Sequence, residues 1–452
     1  MNIDKQRQFF ETGKTLDVEY RIKALHKLQV WIDVNEKRIE EALASDLGKS
    51  DLESYMSEIG MVKSELSFQL SHIRKWAKKH YVKTPLAQFR ATSYEVCEPY
   101  GVVLIMAPWN YPFLLNIDPM IGAVAAGNTV VVKPSAYSPA TSKLICEMIG
   151  ECFDEGHVLG VEGGRKVNEE LMDMKFDYIF FTGSVNVGRQ VMEKAARNLT
   201  PVTLELGGKS PCLIDENCDL KMAAKRILFG KYLNSGQTCV APDYLLIKKG
   251  MEDEFFKYAH CMTRKFFGKE PLKNPDLPHI VNQKHYDRLK AHMLQNEFEV
   301  GGGFDDEKLL IEPSVTKVTD LNSSLMQEEI FGPVLPVLTY ETIDEAIEII
   351  HKFEKPLAFY LFTRDKAVID KVHSQVSFGG GCVNDTIIHL ASSRLGFGGT
   401  GQSGTGSYHG KKSFETFSHK KSIVNKATWI DLPFRYHPYT KANKKIIKLF
   451  MK

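Results

Sequence analysis

The chain has 452 residues, of which 43% are hydrophobic and 25% are charged, and these ordinary globular values exclude a largely disordered protein. The formal net charge of +2 argues against nucleic acid as the main partner, because phosphate binding usually leaves a strong basic excess. The N-terminus lacks the apolar core of a secretory signal, and no apolar run approaches the roughly 20 residues that span a bilayer.

The eight cysteines show no pattern that indicates a zinc site. They form no Cys-x-x-Cys pair and have no clustered histidines, so we expect no metal site. Unpatterned thiols in a long chain are typical of a reducing compartment, and we therefore expect a cytoplasmic protein.

The first 80 residues are predicted to be helical. Charged and apolar residues alternate from about 18 to 47, and apolar residues recur at steps of three and four between Ile59 and Trp76. This spacing predicts amphipathic helices that pack against a core. We assign them no chemistry.

A parallel sheet is predicted to follow. The alternating segment 92–98 predicts a strand, and the apolar run 101–107 predicts a strand that is covered on both faces. The prolines of Pro108-Trp-Asn-Tyr-Pro112 end it. The next predicted elements are a helix over 117–126, a strand over 129–133, a helix over 142–153 and a strand over 176–181. This order implies a doubly wound sheet, whose ligands lie beyond the carboxyl ends of its strands.

A second cycle of strands and helices predicts a second α/β domain. The predicted strands are 202–206, 244–247, 334–338 and 357–362, and the predicted helices are 220–233 and 343–353. The glycine-rich segment 396–404 is predicted to be a loop, and we expect the chain after it to be irregular.

Cys239 is the leading candidate for a nucleophile. It follows Ser235-Gly-Gln-Thr238, a turn from which a thiol can face a cleft. Glu205 lies between Leu204 and Leu206 at a strand end, where desolvation would raise its pKa and make it a usable base. The alternatives are an inert buried cysteine and a surface-facing glutamate.

Three further segments are individually ambiguous. Gly183 to Gly188 has the spacing G-x-x-x-x-G between a strand and a helix, so it can bind an anion or serve packing alone. Lys133 can bind ribose or phosphate oxygens, or remain solvated. Glu328 and Glu329 can belong to a site or to an exposed turn.

In combination, these segments are similar in order and spacing to the motifs of the NAD(P)-dependent aldehyde dehydrogenases. The similar motifs are Pro108-Trp-Asn-Tyr-Pro112, Lys133-Pro-Ser135, Phe181-Thr-Gly-Ser184, Leu204-Glu-Leu-Gly-Gly-Lys209, Ser235-Gly-Gln-Thr-Cys239, Glu328-Glu-Ile-Phe-Gly-Pro333 and Phe397-Gly-Gly. Segments that resemble the dimeric class 3 and fatty aldehyde branch are Asn384-Asp-Thr, Ser407-Tyr-His-Gly410 and Phe414-Glu-Thr-Phe-Ser-His419. The resemblance runs from about residue 10 to 430.

The resemblance implies an α/β fold with a parallel Rossmann-type cofactor domain, an α/β catalytic domain and a small bridging element for oligomerisation. The implied ranges are 1–80 and 100–205 for the cofactor domain, 206–392 for the catalytic domain, 81–99 and 393–435 for the bridging element, and 436–452 for a C-terminal tail. A homodimer is the implied assembly.

The implied activity is oxidation of an aliphatic medium- or long-chain or aromatic aldehyde to the carboxylic acid with NAD or NADP. Cys239 would attack the aldehyde carbon to give a thiohemiacetal, with the oxyanion held by the Asn110 amide and the Cys239 N–H. Hydride loss to the nicotinamide would leave a thioester, which water activated by Glu205 would hydrolyse. Glu329 shares the base role in some relatives, so the two carboxylates are not separated at this point.

The resemblance also implies a set of cofactor contacts. These are Trp109, Lys133, Ser135, Gly183, Ser184, Gly188, Leu206, Gly207, Glu329 and Phe331. The family commonly has Glu directly after Lys-Pro-Ser, and this chain has Ala136. Without that carboxylate we expect NADP to be tolerated alongside NAD.

Three other functions remain open. A cysteine esterase or thioesterase would use the same thiol but usually pairs it with histidine, and no histidine lies near Cys239 in sequence, although His389 could approach in space. A CoA-acylating dehydrogenase would replace water by a thiol, and Glu205 favours water. A binding protein with a decayed site is disfavoured by the complete set of Asn110, Glu205, Cys239 and Glu329.

The last twelve residues, 441–452, mix lysines with apolar side chains and are too short to span a membrane. We expect a solvated end docked on a partner subunit. The alternative is a basic amphipathic turn on an anionic membrane surface.

Overall fold

The computed structural model describes residues 2–451. Its strands, in chain order, are β1 (His80–Val82), β2 (Ala91–Pro99), β3 (Val102–Met106), β4 (Thr129–Lys133), β5 (Val158–Gly160), β6 (Tyr178–Thr182), β7 (Val202–Glu205), β8 (Pro211–Ile214), β9 (Tyr244–Lys248), β10 (Phe304–Asp305), β11 (Leu310–Ile311), β12 (Ser314–Lys317), β13 (Val334–Tyr340), β14 (Ala358–Phe362), β15 (Gly380–Val383), β16 (Gly404–Thr405) and β17 (Ser418–Lys426).

The α-helices, in the same order, are α1 (Asp4–Glu11), α2 (Val18–Val34), α3 (Glu36–Leu47), α4 (Asp51–Ser54), α5 (Gly60–Trp76), α6 (Leu114–Ala126), α7 (Pro139–Cys152), α8 (Arg165–Asp173), α9 (Val185–Ala196), α10 (Leu220–Tyr232), α11 (Glu252–Phe267), α12 (Gln283–Met293), α13 (Ser324–Gln327), α14 (Ile343–His351), α15 (Lys366–Gln375), α16 (Lys411–Thr416) and α17 (Lys441–Phe450). A single π-helical turn, Tyr55–Ile59, connects α4 to α5.

The first six-stranded sheet has the order β16-β7-β6-β3-β4-β5 and is parallel except for β16. Strands β3, β4 and β6 are buried along their whole length. Alternate residues enter opposite cores: Val103 and Ile105 pack with the helices of one face, and Val102 and Leu104 pack with residues of α8 and α9 on the other. Burial on both faces explains why these strands have continuous apolar sequences.

The second six-stranded sheet has the order β12-β13-β9-β8-β14-β15 and is parallel throughout. It is also buried on both faces, since Leu245 and Ile247 belong to one core and Tyr244 and Leu246 to the other. The chain passes from the first sheet to the second between Glu205 and Pro211.

A third sheet, β1-β2-β17, is antiparallel, and it corrects the expectation of an irregular chain after the glycine-rich loop. Strand β17 pairs with β2 over nine residues, from Ser418 opposite Pro99 to Lys426 opposite Ala91. Most of its side chains are exposed, so its sequence has no apolar alternation. Backbone pairing, which sequence periodicity does not report, holds this strand.

None of the described helices is long and apolar enough to cross a membrane. Within residues 2–451, no three His, Cys, Asp or Glu side chains are grouped so that they could hold a metal ion.

Candidate active site

The carboxyl ends of β7, β6, β3 and β4 lie side by side at one edge of the first sheet. From β3 the chain proceeds outward to β4 and β5 and then returns to β6 on the other side of β3. This reversal creates a crevice between the ends of β3 and β6, which is where ligands bind in doubly wound sheets. Trp109 and Asn110 follow β3, and Gly183 and Ser184 follow β6.

Cys239 is presented by a tight turn after α10. Asn234, Ser235 and Gly236 all have positive φ angles, of 52°, 50° and 70°. A Cβ on Gly236 would lie 2.2 Å from the carbonyl oxygen of Gly332, so only glycine fits there. Two non-glycine residues in the left-handed region cost about 1 kcal/mol each or more, a strain typical of functional turns.

Hydrogen bonds from the surroundings hold this turn in place. The Asn234 N–H donates to Glu53 Oε1 at 2.7 Å, and Gln237 Nε2 donates to the His279 carbonyl at 3.1 Å. The Val281 N–H donates to Gln237 Oε1 at 3.0 Å. The turn is therefore fixed from two sides before any substrate arrives.

Asn110 lies directly against the turn that carries the thiol. Its Nδ2 donates to the Gln237 carbonyl at 2.9 Å, and its own carbonyl accepts from Asn234 Nδ2 at 2.7 Å. The side chain is only 2% exposed. The structure thus brings together Asn110 and Cys239, which are far apart in sequence.

A buried ion pair that sequence reasoning missed supports Asn110 from behind. Lys49 Nζ lies 2.6 Å from Glu58 Oε1 and also donates to the Asn110 carbonyl at 3.1 Å. Glu58 Oε2 accepts from the N–H groups of Phe113 and Leu114, where α6 begins. Glu58 belongs to the π-helical turn, a feature frequent at functional sites. No sequence pattern identified either residue of this ion pair.

The half-buried thiol of Cys239 lines a cavity of about 170 Å³, whose other walls come from the helical segments 56–61, 114–115 and 229–233 and the loop segments 387–397 and 408–409. Burial, together with the neighbouring carboxylates of Glu329 and Glu205, raises the pKa of Cys239 to about 12. Its own N–H and that of Val240 oppose the shift. The thiol is therefore neutral at rest and needs a base or a bound electrophile to react.

Glu205 ends β7 with its side chain buried, which excludes the surface-facing alternative. Neither carboxylate oxygen has a hydrogen-bond partner among residues 2–451. Burial raises the pKa of Glu205 well above its ordinary value. The glycine-rich loop covers the group, since a Cβ on Gly398 would lie 3.1 Å from Glu205 Oε1. A carboxyl group in this state can accept a proton near neutral pH.

The Glu329 carboxylate packs against the backbone of Gly207, where the chain enters the second domain. A Cβ on Gly207 would lie 2.1 Å from Glu329 Oε2, so the glycine is required for this approach. Burial, together with the charge of Asp243, raises the pKa of Glu329 to about 8, although a hydrogen bond from Gly208 opposes the shift. Glu328, by contrast, is exposed.

The segment that carries Glu329 is held by an ion pair that includes a second residue missed from sequence. Lys209 Nζ lies 2.5 Å from Asp243 Oδ2 and donates to the Glu328 carbonyl at 3.0 Å. Asp243 Oδ1 accepts from the Ile330 N–H at 2.9 Å. No sequence signal identified Asp243.

The other predicted cofactor residues lie around the same crevice. Lys133 is 2% exposed, so the solvated alternative is excluded, and Nζ donates to the Pro134 carbonyl at 2.6 Å. Phe331 has φ 51° and its ring lies edge-on to Trp109, with ring centres 5.6 Å apart. The remaining positions are Ser135 after β4, Ser184 at the N-cap of α9, and Leu206 after β7.

Gly188 has a packing role, which is one of the two alternatives that the sequence allowed for the segment from Gly183 to Gly188. It lies inside α9, and a Cβ there would be 2.6 Å from Leu206 Cδ2. The glycine therefore lets α9 approach the end of β7 closely. This approach holds the first turn of α9, beginning after Ser184, at the crevice.

Comparison with known proteins agrees with this arrangement. The family model described as "Aldehyde dehydrogenase family" matches residues 2–423. The chain belongs to the aldehyde dehydrogenase family. The predicted membership is therefore confirmed, and the chain is an NAD(P)-dependent aldehyde dehydrogenase that oxidises an aldehyde to the acid.

Several relatives of this aldehyde dehydrogenase belong to the class 3 branch, as predicted. It is 45% identical to the 4,4'-diaponeurosporen-aldehyde dehydrogenase of Staphylococcus aureus over 100% of both chains. It is 43% identical to the dimeric NADP-preferring aldehyde dehydrogenase of Rattus norvegicus over 94% of each. The solved substrate-bound Staphylococcus aureus AldH is 44% identical and superposes with a TM-score of 0.98 over 100% of both chains. The predicted fold class is thereby confirmed.

The crevice of this aldehyde dehydrogenase fits a dinucleotide. At two of its glycines there is no room for a Cβ. A Cβ on Gly207 would collide with the Glu329 carboxylate, and a Cβ on Gly183 would lie 2.6 Å from the Phe181 ring. The helix α9 begins there, and its first-turn amides suit a phosphate.

Proposed function

We propose that this enzyme oxidises apolar aldehydes, aliphatic or aromatic. The supporting observation is the lining of the cavity beside Cys239, which is almost entirely apolar. Six of its lining side chains are Met61, Leu115, Phe229, Leu233, Leu390 and Phe397. Each methylene buried there contributes about 0.8 kcal/mol, or close to fourfold in affinity.

A homologous series of straight-chain aldehydes tests this substrate class. We expect kcat/KM to rise about threefold per methylene until the cavity is filled. The absorbance of the reduced nicotinamide measures the rate. Benzaldehyde is expected to be a substrate. A polar aldehyde such as glyceraldehyde that outperforms hexanal would overturn the proposal.

We further propose the following roles for the site residues. As the Cys239 sulfur forms a bond to the aldehyde carbon, the thiol proton passes to solvent water and the carbonyl electron pair moves onto oxygen. The resulting oxyanion accepts hydrogen bonds from Asn110 Nδ2 and the Cys239 N–H. One such donor lowers a barrier by about 3 kcal/mol. The buried position of Asn110 against the thiol-bearing turn supports this role.

The second half of the reaction requires a base, and we assign it to Glu205. The chemistry that bound NAD or NADP supplies is acceptance of the hydride from the substrate carbon. Glu205 then takes a proton from water, whose oxygen attacks the thioester carbon and releases the Cys239 sulfur. Its unpartnered, buried carboxylate supports this assignment over that of Glu329. We assign Glu329 and Phe331 to the nicotinamide ribose, and Lys133 and Ser135 to the adenosine end.

The geometry gives little support to a cysteine hydrolase. His389 is the histidine that could have reached Cys239, but its Nδ1 lies 3.6 Å from the sulfur of Cys382 instead. Burial lowers the pKa of His389 to about 4 and raises that of Cys382, so neither is charged near neutrality. A reactive thiolate–imidazolium pair is not expected there.

The ion pair between Lys209 and Asp243 is the clamp that holds the segment carrying Glu329. Asp243→Asn leaves the buried ammonium of Lys209 without its counter-charge, which typically costs about 3–5 kcal/mol of stability. Because the segment 328–330 loosens, we expect the KM for NAD to rise at least about tenfold with a smaller change in kcat. Steady-state kinetics and thermal unfolding measure both effects. Asp253→Asn, at an exposed site on α11, is the matched control. An unchanged KM for NAD in a stable Asp243→Asn variant would contradict the clamp.

Ala136 bears on the choice between NAD and NADP. Ala136 is exposed after Lys133-Pro-Ser135, so no carboxylate at this position repels a 2′-phosphate. We expect NADP to be used within about a thousandfold of NAD in kcat/KM, a gap of roughly 4 kcal/mol at most. Ala136→Glu should shift the ratio toward NAD at least tenfold, by about 1.4 kcal/mol, through like-charge repulsion. Ala136→Gln, which adds the same bulk without charge, should leave the ratio nearly unchanged. A shift of equal size with glutamine would mean that bulk, not charge, sets the preference.

We propose the domain division given above, and the separation of the two six-stranded sheets at residues 205–211 supports its boundary between the cofactor and catalytic domains. Strand β16 (Gly404–Thr405) is a correction to the range 393–435 of the bridging element, because it pairs with β7 of the first sheet. We also propose a homodimer, which the name of the rat relative supports and light scattering on the purified chain tests. A cytoplasmic location is supported by eight free cysteines, and cell fractionation tests it.

A further inference from the structure

The proposed oxyanion hole is built from two segments that are far apart in sequence. One donor, the Asn110 side-chain amide, follows β3, and the other, the Cys239 N–H, lies after α10. Asn110 Nδ2 carries two hydrogens, and one of them is donated to the Gln237 carbonyl at 2.9 Å. The other can then be donated to a substrate oxygen. A displacement of about 1 Å at such a site can cost about a hundredfold in rate, so the position of Asn110 matters for catalysis.

The buried pair of Lys49 and Glu58 binds both ends of the short segment that begins with Asn110. Lys49 Nζ donates to the Asn110 carbonyl at 3.1 Å. Glu58 Oε2 accepts from the N–H groups of Phe113 and Leu114, at 2.8 and 3.1 Å. The two charged groups lie 2.6 Å apart, and both side chains are fully buried. The segment therefore cannot shift without breaking a charge-assisted hydrogen bond.

The turn that carries the Cys239 N–H has supports of its own. The Asn234 N–H donates to Glu53 Oε1, and the Gln237 side chain is bonded to two backbone groups. None of these bonds involves the pair. The pair therefore acts on the Asn110 donor and leaves the Cys239 donor to other contacts.

Stability alone does not explain an ion pair at this position. The cost of taking both charges out of water offsets their attraction, and neutral residues of similar volume often replace a buried pair without loss of stability. What the pair does supply is a fixed geometry for the backbone that carries Asn110. We propose that Lys49 and Glu58 are positioning residues that hold the Asn110 amide toward the aldehyde oxygen. This inference rests on the proposed role of Asn110 in the oxyanion hole.

Neutralising both members of the pair tests the proposal. Lys49→Met/Glu58→Gln leaves no unpaired charge at this buried position, so it should fold, but it lacks the ammonium that holds the Asn110 carbonyl. At saturating NAD, we expect its kcat/KM for hexanal to fall at least about tenfold. Lys49→Met alone, in which Glu58 keeps its two backbone donors, is a second variant with the same expected loss. A native kcat/KM in either variant would overturn the proposal.

Two further measurements on these variants distinguish positioning from general damage. The affinity for NAD, measured by calorimetric titration, should stay within about twofold of the native value. Alkylation of Cys239 by iodoacetamide, followed by mass spectrometry, should also stay within about twofold, since the thiol-bearing turn keeps its own bonds. A tenfold loss in either measurement would overturn the proposal, because the pair would then act beyond Asn110.

A double-mutant cycle tests whether the pair acts through Asn110. Asn110→Ala should lower kcat/KM about a hundredfold, which is typical of one oxyanion donor. Adding Lys49→Met/Glu58→Gln to Asn110→Ala should then cost less than about threefold further. Equal losses in both backgrounds would overturn the proposal. A native kcat/KM in Asn110→Ala would refute the proposed role of Asn110 and this inference with it, whereas a loss there beside a native rate in the pair variant refutes this inference alone.

Asp46→Asn is the control for a loosened helix start. Asp46 is buried and accepts from the N–H groups of Ala140 and Thr141, at 3.0 and 2.7 Å, where α7 begins. It thus holds the start of α7 as Glu58 holds that of α6, but α7 does not follow Asn110. Asp46→Asn should lower the unfolding temperature and keep kcat/KM for hexanal within about twofold at saturating NAD. A tenfold loss in this control would overturn the proposal, since any loosened helix start would then lower the rate.

Discussion

Replacement of Cys239 by serine is expected to lower kcat/KM for aldehyde oxidation by at least about a thousandfold, because a hydroxyl is a far weaker nucleophile than a thiolate. The turn around Cys239 is fixed by hydrogen bonds from Asn234 and Gln237 that do not involve the sulfur. The variant should therefore fold and bind NAD as the native enzyme does. Absorbance of reduced nicotinamide measures the first effect, and calorimetric titration with NAD measures the second.

Two other cysteines provide controls for this experiment. Cys261→Ser changes an exposed thiol on α11 and should retain native turnover. Cys382→Ser removes the thiol beside His389 and should also retain it. If Cys382→Ser lost aldehyde oxidation and Cys239→Ser retained it, Cys382 would be the nucleophile, and the proposed site would be refuted.

Replacement of Glu205 by glutamine is expected to lower kcat by about a hundredfold or more, because a general base typically contributes that much. The first turnover should survive, since the proposed base acts only on the thioester. Rapid mixing should therefore show one equivalent of reduced nicotinamide per active site followed by a slow steady state. Equal slowing of the first turnover would instead give Glu205 a role in the attack of the thiol.

Glu329→Gln is the comparison that separates the two carboxylates. Its main effect should be a raised KM for NAD, with the steady-state rate at saturation less affected than in Glu205→Gln. A reversed pattern, in which Glu329→Gln alone stops thioester hydrolysis, would exchange their roles.

The raised pKa of Glu205 also predicts a pH effect on stability. The folded protein holds the Glu205 proton more tightly than the unfolded chain, so the cost of ionising this buried group appears as the pH rises above the unfolded pKa. The glutamine variant should therefore unfold at a higher temperature than the native enzyme at a pH of about 8, and the difference should vanish at a pH of about 4. Differential scanning calorimetry at the two pH values measures it. A lower unfolding temperature for the variant at the higher pH would contradict the burial cost.

The sheets could be predicted from sequence where burial dominates. Strand β4 was predicted with its observed bounds, Thr129–Lys133, because a strand covered on both faces is apolar at every position. Strand β17 could not be predicted, since its exposed residues show no periodicity and only its pairing with β2 defines it. Strand β15, Gly380–Val383, begins with two glycines, and a Cβ on Gly381 would lie 2.0 Å from the Phe359 carbonyl oxygen. Glycine in that strand reflects close packing, and the sequence analysis predicted no strand there.

The candidate site could be predicted in part for a similar reason. Cys239 and Glu205 stand out because a reactive or polar residue occurs at a turn or strand end of apolar elements, and Asn110 was implied by the resemblance to the aldehyde dehydrogenases. Lys49, Glu58 and Asp243 do not stand out, because their roles depend on partners from distant segments. Glu58 belongs to a helical region to which the sequence assigned no chemistry, although its partner Lys49 supports the backbone of Asn110.

The surroundings of Glu205 are assembled from two segments that are far apart in the polypeptide. Glu205 pairs with Gly404 across the sheet edge, and Gly398 lies against its carboxylate. During synthesis, this carboxyl group stays open to water until the ribosome has passed the segment that forms β16. With Glu205 as the proposed base, a nascent chain that already displays Cys239 and Asn110 lacks a tuned base, and we expect hydrolytic turnover only once the late glycine loop has folded over it.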